Sequence, residues 1–372
     1  MKILHLSDLH LGKRVFETSM LPEQRAILAQ ALDMADLCDA VVIAGDVYDK
    51  PVPPAEAVTL LDGFLTAMSE KGKPVLIVSG NHDSAERVAF GAALMEKSGI
   101  HVSPAYDGVV TRVELADEFG PVHVHLLPFV KPAHVRAALC DEEIEGYTAA
   151  VRAAIEAMDI DRRARNVLVA HQFVTGGTRS ESEEIVVGGV DNVDADVFAP
   201  FDYVALGHLH AAQSLCSGRV RYCGAPLAYA FSECGREKTA LLVDIGEQGE
   251  IDVKTLPFTP VHAMRREKGR FADLLDPDRA SEDYLQITLT DEDDLPDAAR
   301  KLQQVYPNLL QVLYDNARTR AAAADFTREA AVVRSPIELF EALHVMQNGA
   351  PVTNEQRALL AGMIERIWEG DA

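Results

Sequence analysis

Five short clusters hold side chains that could bind cations or move protons. They are Asp8 and His10 in Ser7-Asp8-Leu9-His10, Asp46 and Asp49 in Gly45-Asp46-Val47-Tyr48-Asp49, Asn81, His82 and Asp83 after Ser79-Gly80, His171, and His208 with His210 in Gly207-His208-Leu209-His210. Asp8, His10, Asp46, Asn81, His171, His208 and His210 offer oxygen and nitrogen donors only, a set that suits Mn, Mg, Fe or Zn and makes no demand for a soft ligand. Seven donors are too many for one tetrahedral ion. Two ions sharing a carboxylate would use them all and keep positions open for water and substrate. Two divalent ions, two aspartates and one hydroxide sum to about one positive charge, which would attract a phosphate group. Taken singly, His171 could be a core histidine, Asn81 a turn former and Asp8 a helix cap, but five such clusters together point to a site.

Each cluster closes an apolar run: Ile3 to Leu6, Ala40 to Ala44, Pro74 to Val78, Asn166 to Ala170 and Tyr203 to Leu206. Residues 1–255 alternate such runs with amphipathic stretches, the pattern of layered α/β structure, in which ligands bind beyond the strand ends. Gly45 and Gly80 permit the chain to turn sharply there. In an extended segment residues two apart share a face, so Asp8 with His10, and His208 with His210, are expected to converge by strand alternation.

Of the 372 residues 48% are hydrophobic, enough for two or three domains with at least one large core. Lys and Arg number 35 against 58 Asp and Glu, a formal charge of -23. That balance argues against a free-standing DNA binder unless basic residues are clustered or a more basic partner assists. Cys38, Cys140, Cys216, Cys223 and Cys234 are scattered and form no metal knuckle, so they are expected to be reduced structural thiols. Neither a leader-type amino terminus nor an apolar run of membrane-spanning length is evident, and the expectation is a cytoplasmic protein with no membrane contact.

The five clusters, in this order, resemble the signature of the calcineurin-like metallophosphoesterases. The stretch Lys2 to Lys13, Val47-Tyr48-Asp49, Ala170-His171-Gln172 and Gly224-Ala225-Pro226 look more narrowly like the SbcD-type nucleases. The resemblance implies a four-layer αββα sandwich with a small α/β capping domain and C-terminal helices. It further implies one ion held by Asp8, His10, Asp46 and His210 and a second by Asp46, Asn81, His171 and His208, most often Mn. His82 is then similar to the family's catalytic histidine, which is not a ligand. Asp49 stands where the break-repair branch has a histidine, and is expected to orient His82 or a ligand imidazole. The implied activity is that of a DNA exonuclease on duplex ends and endonuclease on hairpins or single strands, in repair and recombination. The implied assembly is a homodimer bound to SbcC, an SMC-like ATPase, in a heterotetramer. Two rivals stand beside it: a phosphoesterase acting on small molecules or phosphoproteins, and a non-catalytic assembly module.

The remaining segments fit that layout. Val58, Leu61, Leu65 and Met68 form one stripe over Ala55 to Ser69, and Val88, Ala92 and Met95 another over Ala85 to Met95. Residues 175–189 read as a mobile loop near the site. Lys13, Arg14, Lys131, Arg136 and Arg179 are candidate phosphate contacts. A capping unit is expected over 256–315, built as strand Tyr284 to Leu289, a helix from about Pro296 to Val305 and strand Leu309 to Leu313, with the acidic run Asp291 to Asp294 as a solvated loop. A linker over 316–334 leads to partner-binding helices over 335–372, each opened by a capping box, Ser335-Pro336-Ile337-Glu338 and Thr353-Asn354-Glu355-Gln356. Their apolar stripes are Ile337, Phe340 and Leu343, then Leu360, Met363, Ile364, Ile367 and Trp368. His5, His101, His123, His125, His134, His262 and His344 belong to none of the clusters and are expected to be structural or at the surface.

Overall fold

A computed structural model describes residues 1–178, 192–293, 295–320 and 336–369. Arg179 with most of the expected loop, Asp294, Ser335 and most of the linker lie outside the described residues, as do the side chains of Ile364, Ile367 and Trp368.

The apolar runs form the central strands of two six-stranded sheets. In the first the order is Ile251–Pro257, Thr239–Ile245, Lys2–Leu6, Ala40–Ala44, Val75–Val78, Ile100–Val102. From Lys2–Leu6 onward the strands are parallel, and Thr239–Ile245 pairs antiparallel to Lys2–Leu6. The second sheet runs Gln213–Leu215, Val220–Tyr222, Tyr203–Gly207, Arg165–His171, Gly120–Leu127, Thr111–Asp117, with its inner strands parallel.

Successive residues of a strand point to opposite faces. Ile3, Val42, Leu76 and Val243 therefore meet Val124, Val167, Val169 and Tyr203 between the sheets. Leu4, Val41, Ile43 and Ile77 turn outward against Ile27, Leu28, Phe64 and Met68 of the helices Leu21–Met34 and Ala55–Glu70. Leu168, Ala170, Val204 and Leu206 do the same toward Val135, Val151 and Ile155 of Pro132–Leu139 and Gly146–Glu156. The result is the four-layer αββα sandwich. Fully buried His5 ties the sheets together through Tyr203 Oη (3.0 Å) and the Leu206 carbonyl (3.2 Å), and burial drops its pKa to about 3, so it stays neutral. Among the described residues no helix is long and apolar enough to cross a membrane.

Several local expectations differ from the structure. Helix Ala55–Glu70 buries Ala57, Leu60, Leu61, Phe64, Leu65 and Met68, and Val58 points to solvent. The stretch Ala85 to Met95 is two single turns, because Gly91 takes a left-handed φ of 78° between them. Val88, Ala92 and Met95 pack on the core while Phe90 and Leu94 are exposed. Strand Ile251–Pro257 completes the first sheet, two residues beyond 255. The capping unit has three parallel strands, Met264–Gly269, Tyr284–Leu289 and Leu309–Tyr314, with Leu285, Ile287 and Leu289 on Leu274, Leu302 and Tyr306. Its first strand, Met264-Arg-Arg-Glu-Lys-Gly269, is an edge too polar to be legible as one. Asp291 accepts from the Phe271 amide (2.8 Å) as a cap. Terminal helices span Pro336–Asn348 and Asn354–Glu369, joined by Arg357 to Glu341 (2.9 Å). Thr353 and Gln356 exchange the two bonds of a capping box.

Candidate metal centre

The two sheets pinch together at the carboxyl ends of their parallel strands. A Cβ on Gly207 would lie 1.8 Å from the Ala44 carbonyl oxygen, and one on Gly45 only 2.3 Å from His171 Nδ1. Only glycine allows backbone and imidazole to approach so closely. At that seam His171 Nδ1–H donates to the Ala44 carbonyl (2.9 Å), which aims Nε2 at Asp46, two residues along.

Strand alternation does not bring the paired donors together. The strand Lys2–Leu6 has ended before Asp8, and Asp8, His10, Asp46 and His208 all take left-handed backbone conformations, with φ of 52°, 44°, 48° and 106°. Such conformations are costly for non-glycine residues and concentrate at functional sites. They persist because neighbouring loops brace one another. The amides of Asp8, His10 and Leu11 donate to the carbonyls of Gly45, Asp46 and Val47 at 2.9–3.0 Å, and the His208 amide donates to Asp8 Oδ1 (3.0 Å). Asp83, which the sequence offered without a role, accepts from the amides of Gly80, Val47 and Tyr48 at 2.9–3.0 Å and so clamps the second and third clusters together.

All seven donors meet in this seam. His10 Nε2 faces His210 Nε2 at 3.0 Å, and Asp46 Oδ2 lies 3.5 Å from His10 Nε2 and 3.4 Å from His171 Nε2. Asn81 Oδ1 sits 3.0 Å from both His171 Nε2 and His208 Nδ1. Ligand atoms of Asp8, His10 and His210 lie within 4.8 Å of one another, as do those of Asp8, Asp46 and His171, and of His10, Asp46 and His82. Lone pairs aimed at common points in a dry site are what divalent cations fit. The residues present therefore suit a divalent-metal centre.

Electrostatics favour the same occupant. Burial pushes Asp8 up to about 6 and drops His10 well below the usual imidazole range. Burial also pulls Asp46 upward, yet His171, His10 and His82 around it hold its carboxyl well below the carboxylate range. Burial opposes charge on His171, but Asp46 draws it up to about 9, so a cation on the Asp46 oxygen would compete with that proton.

Of the two groups that Asp49 was expected to orient, His82 meets its main chain and the His10 imidazole lies nearer its carboxylate. The Asp49 main-chain carbonyl, not its carboxylate, accepts from His82 Nδ1–H (3.1 Å), and the His82 amide donates to Asp46 Oδ1 (3.0 Å). The Asp49 carboxylate bonds Lys13 Nζ (2.6 Å) and lies 3.8 Å from His10 Nδ1. Lys13 is thus engaged with Asp49, and Arg136 donates to the Ile144 carbonyl (3.1 Å).

Glu233, Lys238, Tyr229 and Gln24 were not singled out. Glu233 is 1% exposed, accepts from His210 Nδ1–H (3.3 Å) and pairs with Lys238, which also donates to the His210 carbonyl (3.1 Å). Burial raises the Glu233 carboxyl, but His210 and Lys238 outweigh it and hold it at about 2. An ionised acceptor on Nδ1 fixes the His210 tautomer with Nε2 toward the site. Tyr229 and Gln24 bond the carbonyls of Leu9 and His10 and hold that loop.

Comparison with known proteins agrees with this geometry. Residues 1–212 match the family described as calcineurin-like phosphoesterase, and 260–347 match a C-terminal domain labelled SbcD_C and described as type 5 capsule protein repressor C-terminal domain. A curated relative, the SbcD subunit of the nuclease SbcCD from Staphylococcus epidermidis, is 32% identical over 328 residues, 85% of this chain and 87% of its own. Among solved structures, TT1561 of Thermus thermophilus aligns with a TM-score of 0.39 at 14% identity over 68% of this chain and 98% of its own. With the signature donors in one seam and a relative along most of its length, the chain belongs to the calcineurin-like phosphoesterases and, within them, to the SbcD family.

Proposed function

We propose that this chain is a Mn-dependent DNA phosphodiesterase, the nuclease subunit of an SbcCD-type complex. It would act as exonuclease on duplex ends and endonuclease on hairpins and single strands. The observation that carries the reading is the convergence of seven donors from two sheets on Asp46, in a chain related along most of its length to the SbcD subunit of a nuclease. Asp8, His10, Asp46 and His210 would hold one ion and Asp46, Asn81, His171 and His208 the other, with Asp46 bridging. Bound cations would supply Lewis-acid polarisation of a phosphoryl oxygen and acidify a water at neutral pH. Because His82 Nδ1–H is committed to the Asp49 carbonyl, its Nε2 is the nitrogen able to pass a proton to the departing oxygen. Glu233 with Lys238 would brace His210, and the Asp49 carboxylate, held by Lys13, stands 3.8 Å from His10 Nδ1.

The division into a nuclease domain (1–255, its last strand running on to Pro257), capping domain (256–315), linker (316–334) and partner-binding helices (335–372) completes the proposal. Phe340, Leu343, Leu359 and Met363 are exposed on the terminal helices and suit docking on an SbcC-type SMC-like ATPase. Exposed Val58, Phe90 and Leu94 suit a homodimer within a heterotetramer. A cytoplasmic setting follows from that assembly.

The test is cleavage of duplex, hairpin and single-stranded DNA by the purified chain with Mn, alone and with an SbcC-type partner. Loss of cleavage in His82→Ala with retained metal binding is expected. A chain that hydrolyses nitrophenyl phosphates but leaves every DNA intact, even with the partner, would establish the small-molecule phosphoesterase instead.

A further inference from the structure

Beside the metal centre lies a cleft of about 460 Å³ whose walls come from both units of the chain. Lys13, Arg14, Phe16, Tyr229 and Phe231 line it from the nuclease side, and Arg266, Gln286 and Gln311 from the capping sheet. Three of its lining residues are cations and none is an acid, in a chain of formal charge -23; Lys13 pairs with Asp49, and Arg14 with the exposed Glu17 at 3.7 Å, a pair that a phosphate would have to displace. The cleft adjoins the site directly. The Tyr229 ring centroid is 5.5 Å from that of His10, and Lys13 stands 5.6 Å over the Tyr229 ring while bonded to Asp49.

The rim carries a local contradiction. Arg14–Val15 and Thr18–Ser19 pair as a hairpin with Phe16 and Glu17 as its two-residue turn, at φ of 46° and 65°. A turn with two left-handed residues favours Asn-Gly and disfavours an aromatic. Phe16 is nevertheless there, 50% exposed, with its ring 5.9 Å from Phe231 at 40°. Phe16 thus breaks the turn rule while half exposed, beside a cleft that its ring borders.

We infer that this cleft receives one unstacked nucleotide of single-stranded DNA next to the scissile phosphate, its base stacking on Phe16 and its phosphate meeting Arg14 and Arg266. The inference rests on the DNA phosphodiesterase reading above. Aromatic faces hold bases without regard to sequence, and flanking cations track the backbone. The Gln286 and Gln311 amides, bonded to each other at 2.6 Å, form the polar wall from the capping side. A cleft this size takes a base and its phosphate, so a base must leave its duplex to enter.

The test uses the full-length chain and its Phe16→Asn variant, since asparagine suits the left-handed turn and spares the fold. Three readings are taken: thermal unfolding, Mn-supported hydrolysis of bis(nitrophenyl) phosphate, and binding and cleavage of a fluorescent single-stranded oligonucleotide. The expected result is an unfolding temperature equal to or above wild type, unchanged aryl ester hydrolysis, and oligonucleotide binding weakened roughly 5- to 100-fold, with Phe16→Trp restoring it. Equal oligonucleotide binding in wild type and Phe16→Asn would overturn the inference, as would a loss shared equally by the aryl ester, which would make Phe16 structural. If the wild-type chain leaves DNA untouched even with an SbcC-type partner, it is the phosphodiesterase reading that fails.

Discussion

Replacing Glu233 by glutamine should loosen His210, a proposed metal ligand, from behind. Its carboxylate is 1% exposed and serves two groups, the His210 imidazole at 3.3 Å and the Lys238 ammonium. A glutamine amide can still accept from His210 through oxygen, but its NH2 then faces the ammonium donor, and Lys238 is only 9% exposed. The folded carboxyl sits at about 2 against an ordinary 4.5. A pKa depressed in the folded state stabilises the fold fully above the unfolded value and loses that contribution as pH falls through the folded one. The difference corresponds to about 3 kcal/mol at neutral pH, of the size expected for breaking a buried pair. Glu233→Gln should therefore lose about 3 kcal/mol at pH 7 by denaturant unfolding, and the gap should close between pH 4.5 and 2. Calorimetric titration with Mn should show affinity reduced roughly 10- to 100-fold. Adding Lys238→Met, which removes the stranded charge, should restore stability without restoring Mn affinity. Wild-type Mn affinity in Glu233→Gln would refute the claim that the charge on this carboxylate strengthens His210 as a ligand.

Gly207→Ala should be destabilised by several kcal/mol and lose Mn binding, since its Cβ would sit 1.8 Å from the Ala44 carbonyl oxygen and 2.7 Å from His171 Nδ1; unfolding and Mn titration check both. Arg165→Met should separate stability from chemistry. Arg165 starts the strand that His171 ends, binds Asp117 at 2.5 and 2.9 Å and donates to the Gly120 carbonyl, so its loss should cost about 3–5 kcal/mol with Mn affinity unchanged. Asp83→Ala strands three backbone amides of the loops carrying Asp46 and Asn81, and should both lower the unfolding temperature and raise the Mn concentration needed for half-maximal activity.

The donors were legible because each follows an apolar run, and buried strands are easy to read while polar groups at their ends have few other uses. What brings them together was misread. Left-handed backbone at Asp8, His10, Asp46 and His208 replaces the expected strand alternation, and nothing in a one-dimensional pattern announces a positive φ at aspartate or histidine. The bracing residues were hidden for a related reason. Glu233 reaches His210 across 23 positions and Asp83 reaches Tyr48 across 35, contacts that only the closed fold creates. Strand Met264–Gly269 escaped because an exposed edge needs no apolar run, and Gly91 split a stretch whose periodicity alone promised one helix.

The central claim is that Asp46, at the junction of the two sheets, bridges two cations. Crystals of the full-length chain soaked in Mn and measured at the Mn absorption edge test it most directly. Two anomalous peaks about 3.5–4 Å apart are predicted, both within coordination distance of Asp46, one against Asp8, His10 and His210 and the other against Asn81, His171 and His208. A single peak, or peaks that leave Asp46 untouched, would contradict the account.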